Sequence, residues 1–226
     1  MMRIPFIWLF SVLTGIYLCA QEDSSDMVKY TPEFKFIEGI YVNFNQVKNN
    51  SPISKSRILT DVDYDDPYFF DRVTEGKKLY YYDYNGVKQE IPVKNIWGYS
   101  RNGVLYIAIN DGFYRITIVG SICHFVANLT TYTPAYGYGY PYYNYYDYHP
   151  YGIRPTTRNT SEMRQYLIDF STGRVMEYET STVEVLLMKD PELHDEYAAL
   201  KNKKKKQLKF MYIRKFNDRN PLFFPK

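Results

Sequence analysis

The sequence predicts an α+β fold: an antiparallel sheet of about six to eight strands, a meander or a partial barrel, followed by a pair of C-terminal helices. Three observations predict it. The stretch Gly103 to Leu129, GVLYIAINDGFYRITIVGSICHFVANL, has apolar residues at every second or third place and no Pro. Turn signals recur from Asn85-Gly86 onward, through Arg101-Asn102-Gly103 and Asn110-Asp111-Gly112, to Ser171-Thr172-Gly173. After Glu179 the apolar period changes from two to that of a helix, with Val183, Leu186 and Leu187 on one side.

The chain has 226 residues. Arg3 is followed by an apolar run from Ile4 to Leu18 and then by Leu-Cys-Ala-Gln at residues 18–21. A basic start, a short apolar stretch and a small residue at the cut site describe a secretory signal peptide over 1–20, cleaved between Ala20 and Gln21. The alternatives are an uncleaved anchor, for which the run is short, and a lipid on Cys19, for which Leu18 is too large a neighbour. The expected address is therefore exported: periplasm, outer-membrane-associated or extracellular. The whole chain carries +3, and losing Arg3 leaves about +2, too little to argue for nucleic acid.

Cleavage leaves Cys123 as the one thiol, so no internal disulfide can form and stability must come from burial. Cys123 sits between Ile122 and His124 in an apolar run and reads as a buried small hydrophobe.

Residues 21–35 are polar and read as a loose N-terminal segment. The antiparallel domain spans 36–180. Its first strand alternates around Ile40, Val42 and Phe44. Asp61, Asp63 and Asp65 invite a calcium-loop reading, but position 6 of such a loop is Asp66 instead of Gly and position 12 is Arg72 instead of Glu. A solvated acidic face is expected, a weak cation site being the alternative. KLYYYDY and VKQEI flank Asn85-Gly86, a hairpin signal because both residues tolerate positive φ. Trp97 is expected to pack on the sheet.

Residues 132–160 differ in kind. Tyr132 to Tyr151 reads YTPAYGYGYPYYNYYDYHPY, and ten of its twenty residues are Tyr. Pro134, Pro141 and Pro150 are expected to break any ladder, which makes the segment an exposed loop. Tyr offers a flat apolar face and a hydroxyl, suited to stacking on a sugar or packing on a protein. Tyr136, Tyr138, Tyr140, Tyr142, Tyr143, Tyr145, Tyr146 and Tyr148 form the candidate binding loop; a biased, inert loop is the bland alternative.

Residues 181–226 form the helices and tail. Ser181-Thr-Val-Glu184 reads as a capping box. Asp190-Pro191 reads as a cap followed by Pro at the first helical position. The helix it starts is expected to run to about Phe216, with Leu193, Tyr197 and Leu200, then Leu208, Met211 and Tyr212, as its apolar stripe. The run Lys201, Lys203, Lys204, Lys205 and Lys206 is expected to stand in water. It could lie against anionic lipid or lipopolysaccharide; a solubilising helix face is the plainer reading. Leu222-Phe223-Phe224 is expected to tuck back onto the fold.

Several strings together resemble a family of uncharacterised exported proteins from Bacteroidota: EGIY at 38–41, RNGVLYI at 101–107, VGSICHF at 119–125 and EVLLMKDPELHDEY at 184–197, with IRKFN and PLFFP in the tail. The resemblance runs from about Glu38 to Pro225. It implies an extracytoplasmic address and brings no catalytic residue and no cofactor.

No catalytic or metal-binding motif is read from the chain. His124 lies among apolar residues, His149 in the Tyr-rich loop, and His194 beside Asp195 without the second His of a zinc helix. No cofactor is expected. Paired carboxylates could still meet in the fold. The primary reading is a non-enzymatic binding or structural protein of the cell envelope that works through the Tyr loop. A peripheral protein held by the polybasic helix and a hydrolase with dispersed carboxylates are the alternatives. The partner would be an envelope protein, a glycan or an anionic lipid surface.

Overall fold

Alternating side chains along one antiparallel sheet divide the interior into three cores. The computed structural model describes residues 27–110, 112–135 and 156–225. The elements in chain order are β1 (Met27–Lys29), β2 (Gly39–Tyr41), α1 (Phe44–Lys48), β3 (Ile53–Ser54), β4 (Ile58–Leu59), α2 (Phe69–Val73), β5 (Lys78–Tyr82), β6 (Lys88–Pro92), β7 (Gly98–Arg101), β8 (Val104–Ile109), β9 (Gly112–Ile118), β10 (Ile122–Ala135), β11 (Thr156–Asp169), β12 (Arg174–Glu177), α3 (Thr180–Leu187), α4 (Pro191–Ala198), α5 (Asn202–Arg219) and β13 (Phe223–Pro225).

Eight strands form the main sheet in the order β12-β11-β10-β9-β8-β7-β2-β3, with every pairing antiparallel. From β7 to β12 the order follows the chain, which is the expected meander. The sheet curls without closing. Phe44, just after β2, lies 5.1 Å (ring centroids) from Phe170, just after β11. In a flat sheet those strands would stand five spacings apart, about 24 Å at ~4.8 Å each.

The concave face holds Tyr41, Leu105, Ile107, Ile116, Cys123, Phe125 and Ile168. Their neighbours in sequence point the other way. At one end Ile40 and Tyr99 pack beneath α2 and the small sheet β4-β5-β6. At the other end Ile122 and Leu167 pack beneath α3, α4 and α5. Trp97 is half-buried against the concave core, as expected for a sheet-packed Trp.

The chain ends close the concave face. β1 pairs with β13, and Phe224 is 0% exposed between Phe34, Phe36 and Phe170, at ring distances of 4.9, 5.1 and 5.5 Å. The expected tuck of residues 222–224 is thus made largely by a strand, β13 (Phe223–Pro225), with Leu222 just before it.

Three local expectations are corrected. The β5–β6 turn is wider than two residues: Asp83 N donates to Val87 O, and Asp83 Oδ1 accepts from the N–H groups of Asn85 and Val87. Only Gly86 there takes positive φ, at 75°. Ser181 is no cap, because α3 begins earlier, with Glu179 as its N-cap residue. The last helix is two. Tyr197 of α4 and Tyr212 of α5 have ring centroids 4.9 Å apart, whereas fifteen residues of straight helix would separate them by about 22 Å. Asp190 does cap α4, accepting from Leu193 N at 3.1 Å, with Pro191 next to it.

Phe224→Ala should therefore cost about 3–5 kcal/mol, measured by urea denaturation. Phe223→Ala, half exposed on the same strand, should shift stability by less than about 1 kcal/mol.

Candidate functional site

The most extended feature is the β10–β11 hairpin, whose fourteen residue pairs run from Ile122↔Asp169 to Ala135↔Thr156. Phe170 N donates to Ser121 O at 3.0 Å, which fixes the parity of the ladder. Odd-numbered β10 residues exchange bonds with even-numbered β11 residues. The backbone groups of the others point outward, as Gln165 O shows by accepting from Tyr178 N at 2.9 Å.

The inner half is anchored. β9 pairs with His124 and Phe125, and β12 pairs with β11 from Tyr166 to Asp169. Outward from Leu129↔Glu162, seven rungs have no neighbouring strand among the described residues. The arm is rich in Thr, whose branched Cβ favours extended chain. At its base Ser161 Oγ donates to Asn128 Oδ1 at 2.6 Å.

The ladder corrects the expected loop boundaries: 132–135 and 156–160 are strand. Pro134 does not break it, because Pro134 belongs to the outward-facing set and its missing N–H removes no bond to β11. The candidate residues Tyr136, Tyr138, Tyr140, Tyr142, Tyr143, Tyr145, Tyr146 and Tyr148 lie outside the described residues, as do His149, Ala20 and Gln21.

The lysine run divides. Lys201, Lys203, Lys204 and Lys206 are exposed, but Lys205 is buried. Its Nζ donates to Glu184 Oε2 at 2.9 Å and sits 5.6 Å from the Tyr197 ring centroid. The reason is phase. Once α5 begins at Asn202, Lys205 joins Tyr212, Ile213 and Phe216 on the buried side, and Met211 turns outward. The run therefore does not stand wholly in water as expected.

A cleft of about 450 Å³ opens at the root of the arm. Ile122, Phe170, Leu186, Phe216 and Leu222 wall it, and Lys48, Asp169 and Lys189 give it charge. Asp169 accepts from Lys189 Nζ at 2.7 Å and from Ser171 N and Oγ at 3.0 and 2.8 Å. Burial works to raise its pKa, but these bonds outweigh burial and hold the carboxyl below its ordinary value. The D-x-S-T-G spacing at 169–173 is the sequence signal for this turn. Lys189 has no local signal, being twenty residues away.

Cys123 is buried, donates to Gly120 O at 3.2 Å, and burial pushes its thiol up to about 12. His124 is held between Thr117 Oγ1 and Gln165 Oε1, both at 3.1 Å, and burial lowers its pKa. Both are committed to the interior, as the sequence reading has them. His194 stands 3.0 Å from Asp195. In the acidic run Asp63 and Asp66 accept from the N–H groups of Asp65 and Tyr68, and Asp66 pairs with Arg72 at 3.0 Å. Among the described residues no group of three or more His, Cys, Asp or Glu could hold a metal ion. A second polar anchor went unread in the sequence: Asp71 accepts from Tyr99 Oη and Arg101 Nη1, both at 2.5 Å, and ties α2 to β7.

No protein-family model, no curated protein and no solved structure matches this chain.

Two predictions follow from these polar contacts. Glu184→Ala strips Lys205 of its partner and should cost about 1–3 kcal/mol, while Lys203→Ala should stay within about 0.5 kcal/mol; urea midpoints compare them. For Asp169 the folded pKa is depressed, so the fold favours the charged form. Its stabilisation is complete above the unfolded carboxyl pKa, about 4, and is lost as pH falls through the depressed folded value. Asp169→Asn should lower the melting temperature at pH 7 and flatten its fall as pH drops below about 4.

Proposed function

We propose that this is a non-enzymatic binding or structural protein, exported to the cell envelope, that carries its tyrosine-rich segment on a stiff hairpin arm. One observation carries the reading: seven rungs of the β10–β11 ladder extend past the strands that anchor it. Leu129 at its base packs against the concave core, and the rungs beyond it have no anchoring strand among the described residues. Residues that support no core are the ones a fold can use for contact with something else. The Tyr-rich sequence joins the two outer ends of this ladder. The leader-like residues 1–20 and the resemblance of 38–225 to exported Bacteroidota proteins support the address.

The polybasic alternative keeps four exposed lysines. The apolar side of α5 already packs in the helix-side core, so that patch would meet an anionic surface through charge alone. The arm is the better supported device, and the partner class is an envelope protein or glycan that stacks on tyrosine.

Replacing residues 136–155 by Asn-Gly tests this. Ala135 and Thr156 form a bonded pair of the kind a two-residue turn closes. The shortened protein should keep its melting temperature within a few degrees, about 1 kcal/mol. It should lose the envelope component that the whole protein retains in affinity capture. Capture undiminished by the replacement would overturn the proposal.

A further inference from the structure

We propose that the outer edge of β11 pairs with the same edge of a second copy of this chain, antiparallel, in one register centred on Thr160. This goes beyond the function above, because it needs the arm and not the tyrosine segment.

The ladder's parity places the backbone groups of Thr157, Asn159, Ser161 and Met163 outward on β11. Beyond them Gln165 O is already taken by Tyr178 N. Among the described residues the outward-facing positions without a neighbouring strand are thus 157–163, and their midpoint is Thr160. The β10 edge is different. Asn128 O accepts from Tyr114 Oη at 2.6 Å, and Pro134 has no N–H to give. Proline on an edge strand discourages pairing there. Only one of the arm's two edges is blunted in this way.

A two-fold axis at Thr160 sets Thr157 against Met163 and Asn159 against Ser161, and the same again by symmetry. All four outward residues of each copy are then matched, and each such pair exchanges two backbone bonds. In this register Arg158 of one copy stands opposite Glu162 of the other, twice. These are the non-bonded positions, where side chains approach most closely and opposite charges favour pairing. Both bonds that Arg164 makes to Glu162 land on Oε2, so Oε1 can accept from the second copy. Sliding the register two residues one way sets Arg158 against Arg164, which repels. Sliding it the other way sets Arg158 against Thr160 and leaves Met163 unmatched. Met163 is 73% exposed on this edge, and the Thr160 register covers it. A self-complementary charge pattern centred on the midpoint of the open edge singles out a second copy as the partner. A seven-residue pairing buries less than a standard interface, so the dimer should be weak and concentration-dependent.

The test uses the purified protein in sedimentation velocity across a wide concentration range, with engineered cysteines as the register probe. Thr160 faces Thr160, at a Cα distance of about 4.5 Å that a disulfide can span. Thr160→Cys should form a disulfide-linked dimer in glutathione disulfide buffer at least tenfold faster than Asn159→Cys, whose opposite residue is Ser161. The buried Cys123 stays out of the reaction. Glu162→Arg and Arg158→Glu should each shift the protein to monomer, and the double variant should recover the dimer. Melting temperatures confirm that each variant folds. Sedimentation as a monomer at every concentration would overturn the proposal, and so would equal cross-linking at 159 and 160. Affinity capture by the monomeric Glu162→Arg variant separates the two readings, since the tyrosine segment is intact in it.

Discussion

The concave core depends on the meeting of the two chain ends. Phe224, from the last strand, fills the space that the curled sheet leaves between Phe34, Phe36 and Phe170. An eight-stranded sheet that curls without closing has a gap to fill, and among the described residues the one cysteine, Cys123, is free and buried. Burial must hold its ends. The β1–β13 pair supplies three backbone-paired residues per strand to keep the plug in place, and Tyr30 N donates to Leu222 O beside it at 2.8 Å. The sheet's alternation then distributes everything else. One residue of each adjacent pair feeds the concave core, and the other feeds the helices or the small sheet on the convex side. The two outer layers cover different ends of one sheet, so each is tied to it by its own polar anchor: Asp71 with Tyr99 and Arg101 at one end, and Asn217 with Ile122 at the other, where both N–H···O bonds fall at 2.8–2.9 Å.

The meander was legible because its signals are local. Period-two alternation and Gly-bearing turns need only neighbouring residues, and Gly103 and Gly173 do take the positive φ their turns require. The cap at Asp190 was legible for the same reason. What failed depends on residues far apart. The unbroken last helix was inferred from a stripe that continues on either side of the lysines, yet the contact that folds α4 onto α5 joins Tyr197 to Tyr212. Lys205 looked like its neighbours because a run of lysines has no internal phase. Its phase comes from where α5 begins. The Ser181 cap is displaced because the first helical bond already runs from Val183 N to Glu179 O, and Glu184, its supposed partner, accepts from Lys205.

The arm shows how composition can mislead about conformation. A Tyr, Pro and Gly count argues for a loop, and it sets the boundary at the first tyrosine. The ladder ignores that boundary and continues to Ala135, since β10 needs only every second residue to bond with β11. Pro134 sits at one of the positions that needs no such bond. The same parity that makes the proline harmless to the hairpin makes it an obstacle to any strand arriving from outside.

That asymmetry bears on what the arm is for. If the outer rungs served only to hold a tip away from the body, both of their edges would carry the same need for protection against stray pairing. One edge is protected, by a proline and by a carbonyl already bonded to Tyr114. The other carries four consecutive outward-facing residues, none of them proline, lysine or a bulge, with an acid and a base placed at equal distances from the centre. An edge left open through neglect has no reason to be symmetric in charge. An edge that meets its own copy does, because a two-fold axis sets each residue against the one equally far beyond the centre.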